Sequence, residues 1–181
     1  DDVLRDVFVR GKYRDVILPM CVLRRLDAVL EPSKKAVLET KEMLDQQGIT
    51  AQRAALCAAA GQAFYNTSKF TLRDLKSRGS QQRLLADFED YLNGFSANVQ
   101  DILDNFKFRN QLSTLSKADA IGALINKFLD PEIDLSPAGI DNHAMGTVFE
   151  ELVRKFNEDN NEEAGEHWTP RDAVRLMANL V

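Results

Sequence analysis

Apolar residues recur every three to four positions along most of the chain, and this spacing predicts amphipathic helices. Alternating apolar and polar positions, which are typical of half-buried strands, are scarce. The clearest stripe predicts a helix that follows a capping-box-like segment at residues 116–119 and ends at Asp130-Pro131. Its apolar positions are Ile121, Leu124, Ile125, Phe128 and Leu129. The pattern therefore predicts an all-α protein.

A second stripe, near the front of the chain, runs from Tyr13 to Leu30 and contains Pro19. Because proline has no backbone N–H, this helix either kinks at Pro19 or begins near Ile17. Residues 31–33, Glu-Pro-Ser, then interrupt the helical pattern.

Polar residues mark the starts of the helices that follow. Ser33 is suited to cap a charged helix that ends at Gly48, and Thr50 to cap an Ala-rich helix over residues 51–60. Residues 61–80 are too apolar for a linker, so they predict a packed loop and a short helix. Two more helices are predicted by stripes at Leu84, Leu85, Phe88, Tyr91 and Leu92, and at Val99, Ile102, Leu103 and Phe106.

The best candidate for a domain boundary is residues 134–141, which contain Ser-Pro and a glycine. We therefore expect a multi-helix bundle over residues 1–135 and the start of a second domain over residues 136–181. Residues 157–163 predict a polar surface loop, and a last helix is expected from Thr169-Pro170. Before that loop, a helix is predicted by a stripe at Met145, Val148, Phe149, Leu152, Val153 and Phe156.

Composition and charge narrow the class of protein. The chain has 181 residues, 44% of them hydrophobic, with only Gly 9 and Pro 5, which suits a helical core. A net charge of -5 means that any DNA contact is a local patch or comes from a partner. Cys21 and Cys57 lie in apolar or Ala-rich surroundings and predict buried free thiols in a reducing cytoplasm. No apolar run approaches the ~18 residues of a membrane span, and no signal peptide is visible.

Candidate chemistry concentrates in residues 164–171, Ala-Gly-Glu-His-Trp-Thr-Pro-Arg. Thr169 is a good N-cap, and Pro170 suits the first position of a helix. A helix start presents free backbone N–H groups that hold a carboxylate or phosphate, and Gly165 allows close approach of a ligand. Trp168 can stack on a flat ligand, but it also fits a core anchor beside an ordinary helix cap. The residues alone leave both interpretations open.

Three motifs carry a resemblance to a known family. Residues 165–171, Gly-Glu-His-Trp-Thr-Pro-Arg, resemble the entry to the N6-adenine methyltransferase domain of type I restriction–modification systems. Residues 145–152, Met-Gly-Thr-Val-Phe-Glu-Glu-Leu, are similar to the helix with a Gly and an aromatic–Glu pair in that family. Residues 17–27, Ile-Leu-Pro-Met-Cys-Val-Leu-Arg-Arg-Leu-Asp, resemble the "ILP…LRRLD" signature of the helical N-terminal domain of the modification (M) subunit. The motifs occur in the expected order, whereas the middle of the chain matches only in helical character.

The resemblance implies that the full-length protein transfers a methyl group from S-adenosylmethionine to adenine N6 in DNA. It also implies a short segment that lines the methionine end of this cofactor, with Thr169 and nearby backbone groups at the cofactor carboxylate. This cofactor segment consists of Glu166, His167, Trp168, Thr169, Pro170 and Arg171. His167 departs from the family, which usually has Tyr or Phe there, and its polar ring is expected to stack less well.

The rest of such a site is absent from the sequence. It has neither a Gly-rich turn after a strand nor an Asn-Pro-Pro-aromatic motif, which in this family hold the cofactor and the flipped adenine. We therefore expect the front part of a longer enzyme whose Rossmann-like methyltransferase domain is only begun. We expect this part to hold no catalytic residue and no metal, to be inactive alone, and to bind the cofactor weakly or not at all.

The resemblance also implies partners. They are a specificity subunit, a restriction subunit that acts as nuclease and translocase, a second M subunit and double-stranded DNA. Lys69, Arg73 and Lys76 fall on one face of the predicted short helix. They are either a contact to DNA phosphates or ordinary solvated surface.

Four other polar residues favour structural roles. Arg24-Arg25 with Asp27 predict either an interdomain salt-bridge network or a partner contact, and the apolar helix around them favours the structural role. His143 has no Cys or acidic residues at metal-ligand spacing, which favours a structural or capping role.

A non-enzymatic helical interaction module is the alternative function. Amphipathic helices and net acidity fit it equally well, and only the motifs near the two ends argue against it. The sequence after Val181 distinguishes the two, because the enzyme requires a strand and a Gly-rich turn there.

Overall fold

The computed structural model describes residues 3–5, 7–8, 12–77 and 81–159, without the side chains of residues 81–82 and 157–159. In these ranges the regular structure is helical, with one isolated antiparallel bridge between Asn66 and Phe95. The helices are α1 Arg14–Leu30, α2 Lys34–Gln46, α3 Arg53–Ala60, α4 Leu72–Lys76, α5 Gln81–Asn93, α6 Ala97–Asn105, α7 Arg109–Lys117, α8 Ile121–Phe128 and α9 Asn142–Asp159. The all-α prediction is confirmed.

Helix α1 is the centre of the fold. Successive residues, from Leu18 to Leu23, are buried, which requires neighbours on every side of the helix rather than along one stripe. Helices α8 and α9 pack against it, while α5 packs against α7 and α8. None of the helices in the described ranges has the length and apolarity that crossing a membrane requires.

Pro19 lies inside α1. The helix begins at Arg14, and the N–H of Ile17 already donates to the carbonyl of Tyr13 at 2.8 Å, so a start near Ile17 is wrong. Proline removes the hydrogen bond that residue 19 would donate to the carbonyl of Asp15. The helix continues through Pro19 because its apolar side chains are buried on both sides of that position.

The stripe predicted for α8 is confirmed. Ile121, Leu124, Ile125 and Phe128 are all buried, and α8 packs against α1, α4, α5 and α7. Complete burial of one such side chain contributes about 1.5–3 kcal/mol. Packing against neighbouring helices, rather than intrinsic helix propensity, therefore stabilises this short helix.

The three predicted helix caps agree with the structure in part or not at all. Ser33 occupies the N-cap position of α2, as predicted, but its hydroxyl donates to the carbonyl of Leu30 at 3.2 Å and makes no side-chain cap. Helix α3 begins later than predicted, with Gln52 rather than Thr50 before its first residue. Residues 116–119 belong to the end of α7 and not to the start of α8.

Helix α7 is missing from the sequence-based prediction. Only Leu112 and Leu115 are buried in it, so its apolar pattern is too sparse to stand out. Asp119 ends the helix in a left-handed conformation with φ 55°. The N–H of Ala120 then donates back to the carbonyl of Leu115 at 2.9 Å, which is typical of a helix C-terminus.

The later part of the chain agrees with prediction in its main helix. In α9, Met145, Phe149 and Val153 are buried and Leu152 is half-buried, whereas Val148 is exposed. The helix continues to residue 159, so the surface loop predicted from residue 157 begins too early. The rest of that loop and the last predicted helix lie outside the described residues.

Candidate functional site

Three polar side chains of α1 are buried in a helix that is otherwise apolar. The exposed fractions of Arg24, Arg25 and Asp27 are 9%, 3% and 7%. Burial of a charged group is costly unless hydrogen bonds or opposite charges replace its water. Each side chain therefore needs partners, and the partners show what it does.

Arg24 fastens the end of α8 to α1. Its Nε donates to the backbone carbonyl of Phe128, the last residue of α8, at 3.2 Å. The last carbonyls of a helix have no partner within the helix and carry partial negative charge, so a cation is favourable there.

Arg25 fastens the segment between α8 and α9. Its Nη1 donates to the carbonyls of Leu135 and Ile140 at 3.0 Å and 2.8 Å. Its Nη2 donates to Oδ1 of Asn142, the first residue of α9, at 2.7 Å. One guanidinium thus joins α1 to both ends of a turn and to the helix that follows it.

Asp27 fastens α4 and α5. Its Oδ1 accepts from the backbone N–H of Leu72, the first residue of α4, at 3.2 Å and from the hydroxyl of Tyr91 at 3.0 Å. Burial raises the pKa of Asp27, while the two hydrogen bonds and the charges of Arg24 and Lys34 oppose that change. The structural role predicted for the three residues is confirmed, but their hydrogen bonds go to other elements rather than to one another.

Two more polar residues, Lys34 and Asn66, extend the group of buried polar side chains around Asp27, here called the polar core, and neither was predicted from the sequence. Lys34 Nζ donates to Oδ1 of Asn66 at 3.1 Å, and Asn66 Nδ2 donates to the carbonyl of Tyr91 at 2.9 Å. Burial lowers the pKa of Lys34 to about 8, against the opposing charges of nearby carboxylates. No local pattern marks these partners, because they lie on separate elements of the chain.

The three cations predicted to face DNA are all exposed. Arg73 and Lys76 belong to α4, but Lys69 precedes it, so the prediction that all three share one helical face is wrong for Lys69. The Nζ of Lys69 lies 5.0 Å from the centre of the Phe70 ring. Arg73 forms an exposed ion pair with Glu31 at 3.4 Å, a kind of pair that stabilises little. We call Lys69, Arg73 and Lys76 the basic strip.

Helix α4, which carries Arg73 and Lys76 of the basic strip, is held in place by several contacts. Thr71 caps it, accepting from the N–H of Asp74 at 3.3 Å, and Asp74 in turn accepts from the N–H of Thr71 at 2.8 Å. Leu72 and Leu75 are buried beneath it. Arg73 and Lys76 therefore lie on a short helix that is held by its own cap, by apolar burial and by the hydrogen bond to Asp27.

The predicted cofactor segment, residues 166–171, lies outside the described residues. Helix α9 is the last described element before it, and it packs against α1. Within the described ranges no group of His, Cys, Asp and Glu is arranged to hold a metal ion. His143 is exposed in the first turn of α9. Both cysteines are free thiols, Cys21 buried and Cys57 half-buried.

Comparison with known proteins adds two family matches. Residues 1–128 match the model described as HsdM N-terminal domain, and residues 140–181 match the model described as N-6 DNA Methylase. No curated protein and no solved structure matches the chain. The first match covers α1 to α8, and the second begins two residues before α9.

Proposed function

Because this chain belongs to the HsdM N-terminal domain family and is the N-terminal part of a type I modification subunit, we propose that its helical bundle clamps DNA and contacts partner subunits during methyl transfer. The full-length protein is a methyltransferase. We propose that its methyl donor is S-adenosylmethionine and its acceptor is adenine N6 in double-stranded DNA. The order of the two family matches along one chain carries this proposal, and it favours the enzyme over a stand-alone helical module.

Residues 166–171 are our candidates for the cofactor-binding part of this chain. Thr169 and the backbone after it suit the cofactor carboxylate, because a helix start offers unpaired N–H groups. Trp168 and His167 suit contacts to its flat or polar parts. The match of residues 140–181 to the N-6 DNA Methylase model supports a role of this segment in the methyltransferase domain.

The net charge of the chain indicates how contacts with DNA are divided among the subunits. A chain with net charge -5 meets DNA through a local surface, for which the basic strip is our candidate. Reading of the target sequence then belongs to a specificity subunit, with a second modification subunit and a restriction subunit completing a cytoplasmic complex. The bundle over residues 1–135 would make these contacts, and residues 136–181 would open the methyltransferase domain.

Methyl transfer by the assembled enzyme tests the proposal. The full-length subunit, with its specificity subunit, is incubated with S-adenosylmethionine labelled in its methyl group and with duplex DNA. We expect label in N6-methyladenine, and we expect the 181-residue chain alone to transfer none. Thr169→Ala in the full-length protein is expected to raise the Kd for the cofactor about ten-fold, since it removes one charge-assisted contact. Label in cytosine, or transfer by the 181-residue chain, would contradict the proposal.

A further inference from the structure

We propose that Arg25 is a positioning residue for methyl transfer, because it folds residues 130–141 into a fixed joint between the helical bundle and α9. This inference rests on the proposed function. Residues 130–141, called the joint below, separate the last helix of the bundle from α9, and the second family match begins at residue 140, near the end of the joint.

A guanidinium binds the backbone of the joint, while the apolar side chains of Ile133, Leu135 and Ile140 pack against the core. Arg25 is 3% exposed and donates to carbonyls near both ends of the turn, at Leu135 and Ile140. Burial lowers the pKa of Arg25, while the charges of Asp141 and Asp134 oppose that change. A planar guanidinium can hold several acceptors in fixed directions, which a lysine ammonium cannot reproduce.

The turn itself is tightly built. Asp134 Oδ1 accepts from the N–H of Ser136 at 2.9 Å, and the carbonyl of Ser136 accepts from the N–H groups of Gly139 and Ile140, each at 3.0 Å. A Cβ on Gly139 would lie 2.4 Å from Cγ of Asp134, so no larger residue fits without movement. The joint is therefore an ordered turn and not a free linker.

The joint also fixes the start of α9. Asn142, its first residue, accepts from Arg25, and Asp141 Oδ1 accepts from the N–H of Ala144 at 2.7 Å. The buried side chains of Met145 and Phe149 then continue the contact with the core. Because α9 is the last described element before the candidate cofactor segment, we expect loss of Arg25 to loosen the start of α9 and thereby to weaken cofactor binding.

The experiment compares two neighbouring arginines in the full-length subunit assembled with its specificity subunit. Arg25→Met removes the bonds to the joint, whereas the control Arg24→Met removes a similarly buried guanidinium whose acceptor, Phe128, lies within the bundle. We measure amide hydrogen exchange and the kcat and KM for S-adenosylmethionine. Arg25→Met is expected to speed exchange at Gly139 and Ile140 about ten-fold. It is also expected to raise the KM about five-fold or more with a smaller change in kcat, because a displaced cofactor segment loses binding contacts rather than reacting groups.

Equal KM values in the Arg25→Met and Arg24→Met enzymes would overturn the inference, as would unchanged exchange in the joint of Arg25→Met. If Arg25→Met does not fold, Asn142→Ala removes one bond at an exposed position and is expected to shift the same amides and the KM by a smaller factor. Arg25→Lys keeps the positive charge without the planar fork of donors, so it is expected to change the exchange rates and the KM less than Arg25→Met does. A wild-type enzyme that transfers no methyl group contradicts the proposed function instead, and the exchange measurement then still tests the joint.

Discussion

At the scale of single residues, Lys34 shows how the polar core responds to pH. Burial lowers its pKa to about 8 from an ordinary value of 10.5, although the charges of Asp27, Asp74 and Asp90 oppose this. Between these two pH values the unfolded chain binds more protons at this position than the folded chain does. The free energy of unfolding contributed by Lys34 therefore rises with pH across that window.

We predict that Lys34→Met removes this rise. The difference in unfolding free energy between wild type and Lys34→Met, measured with urea, should grow in favour of wild type from pH 8 to 10.5. Burial raises the pKa of Cys21 to about 12, which lowers stability above pH 9, but it does so equally in both proteins. Lys35→Met is the control, because the Lys35 side chain is 88% exposed. Parallel pH profiles for wild type and Lys34→Met would contradict the prediction.

The sequence was informative about which single residues are structural and uninformative about their partners. Arg24, Arg25 and Asp27 stand out as charges in an apolar helix, so their structural role was predictable. Their acceptors and donors lie 45 to 117 residues away along the chain. Such partners are backbone groups in large part, and a backbone carbonyl leaves no trace in residue identity.

At the scale of elements, prediction followed the density of the apolar pattern. Helix α8 was predicted because all five expected positions are apolar, and four of them are buried, whereas Leu129 is half-buried and follows the helix. Helix α7, with two buried leucines among polar residues, was not. The short polar segment after it resembles a capping box, but the left-handed Asp119 shows that it closes one helix rather than opening the next. The motif was therefore assigned to the start of α8 instead of the end of α7, because the apolar pattern of α7 is too sparse to reveal that helix.

Replacement by alanine should have opposite effects on the free energy of unfolding at two glycines, Gly94 and Gly122. A Cβ on Gly94, which follows α5, would lie 2.4 Å from the backbone N of Ser68 and 2.6 Å from Oδ1 of Asn66. Gly94→Ala is therefore expected to lower the free energy of unfolding by about 1–3 kcal/mol. In Gly122→Ala, within α8, the new Cβ would meet Cδ2 of Leu84 at an ordinary 3.5 Å. This variant should gain about 0.5–1 kcal/mol from helix propensity.

Urea unfolding of the two variants beside wild type decides this comparison. A loss of stability in Gly122→Ala would show that α8 has no room for a methyl group beside Leu84. An unchanged Gly94→Ala would show that the bridge between Asn66 and Phe95 can move apart without cost.

At the scale of the whole molecule, the fold joins a helical bundle to the first helix of a second family match. The sequence motifs predicted this order, and the two family models match the same two parts of the chain. The sequence did not predict that the segment between them is an ordered turn held by Arg25, because Ser-Pro and glycine there are equally typical of a flexible linker. The cofactor segment stays a prediction, since it lies outside the described residues.

The basic strip gives a prediction for the assembled enzyme. Replacement of Lys69, Arg73 and Lys76 by Gln removes three exposed positive charges without touching the buried side of α4. If all three meet phosphates, DNA affinity falls about equally for all sequences, and the slope of log K against log salt becomes shallower by about 2.7. Titration of duplex DNA over a salt series measures both quantities.

A matched control separates a local contact from the general effect of charge. The control variant replaces three other exposed lysines by Gln, namely Lys35, Lys107 and Lys117. Both variants make the net charge of -5 more negative by three, so long-range repulsion from DNA increases similarly in both. A shallower salt slope only in the strip variant supports direct phosphate contacts. Equal slopes in both variants and in wild type would remove the strip from the DNA-binding surface, and the clamp would then have to lie on another face of the bundle.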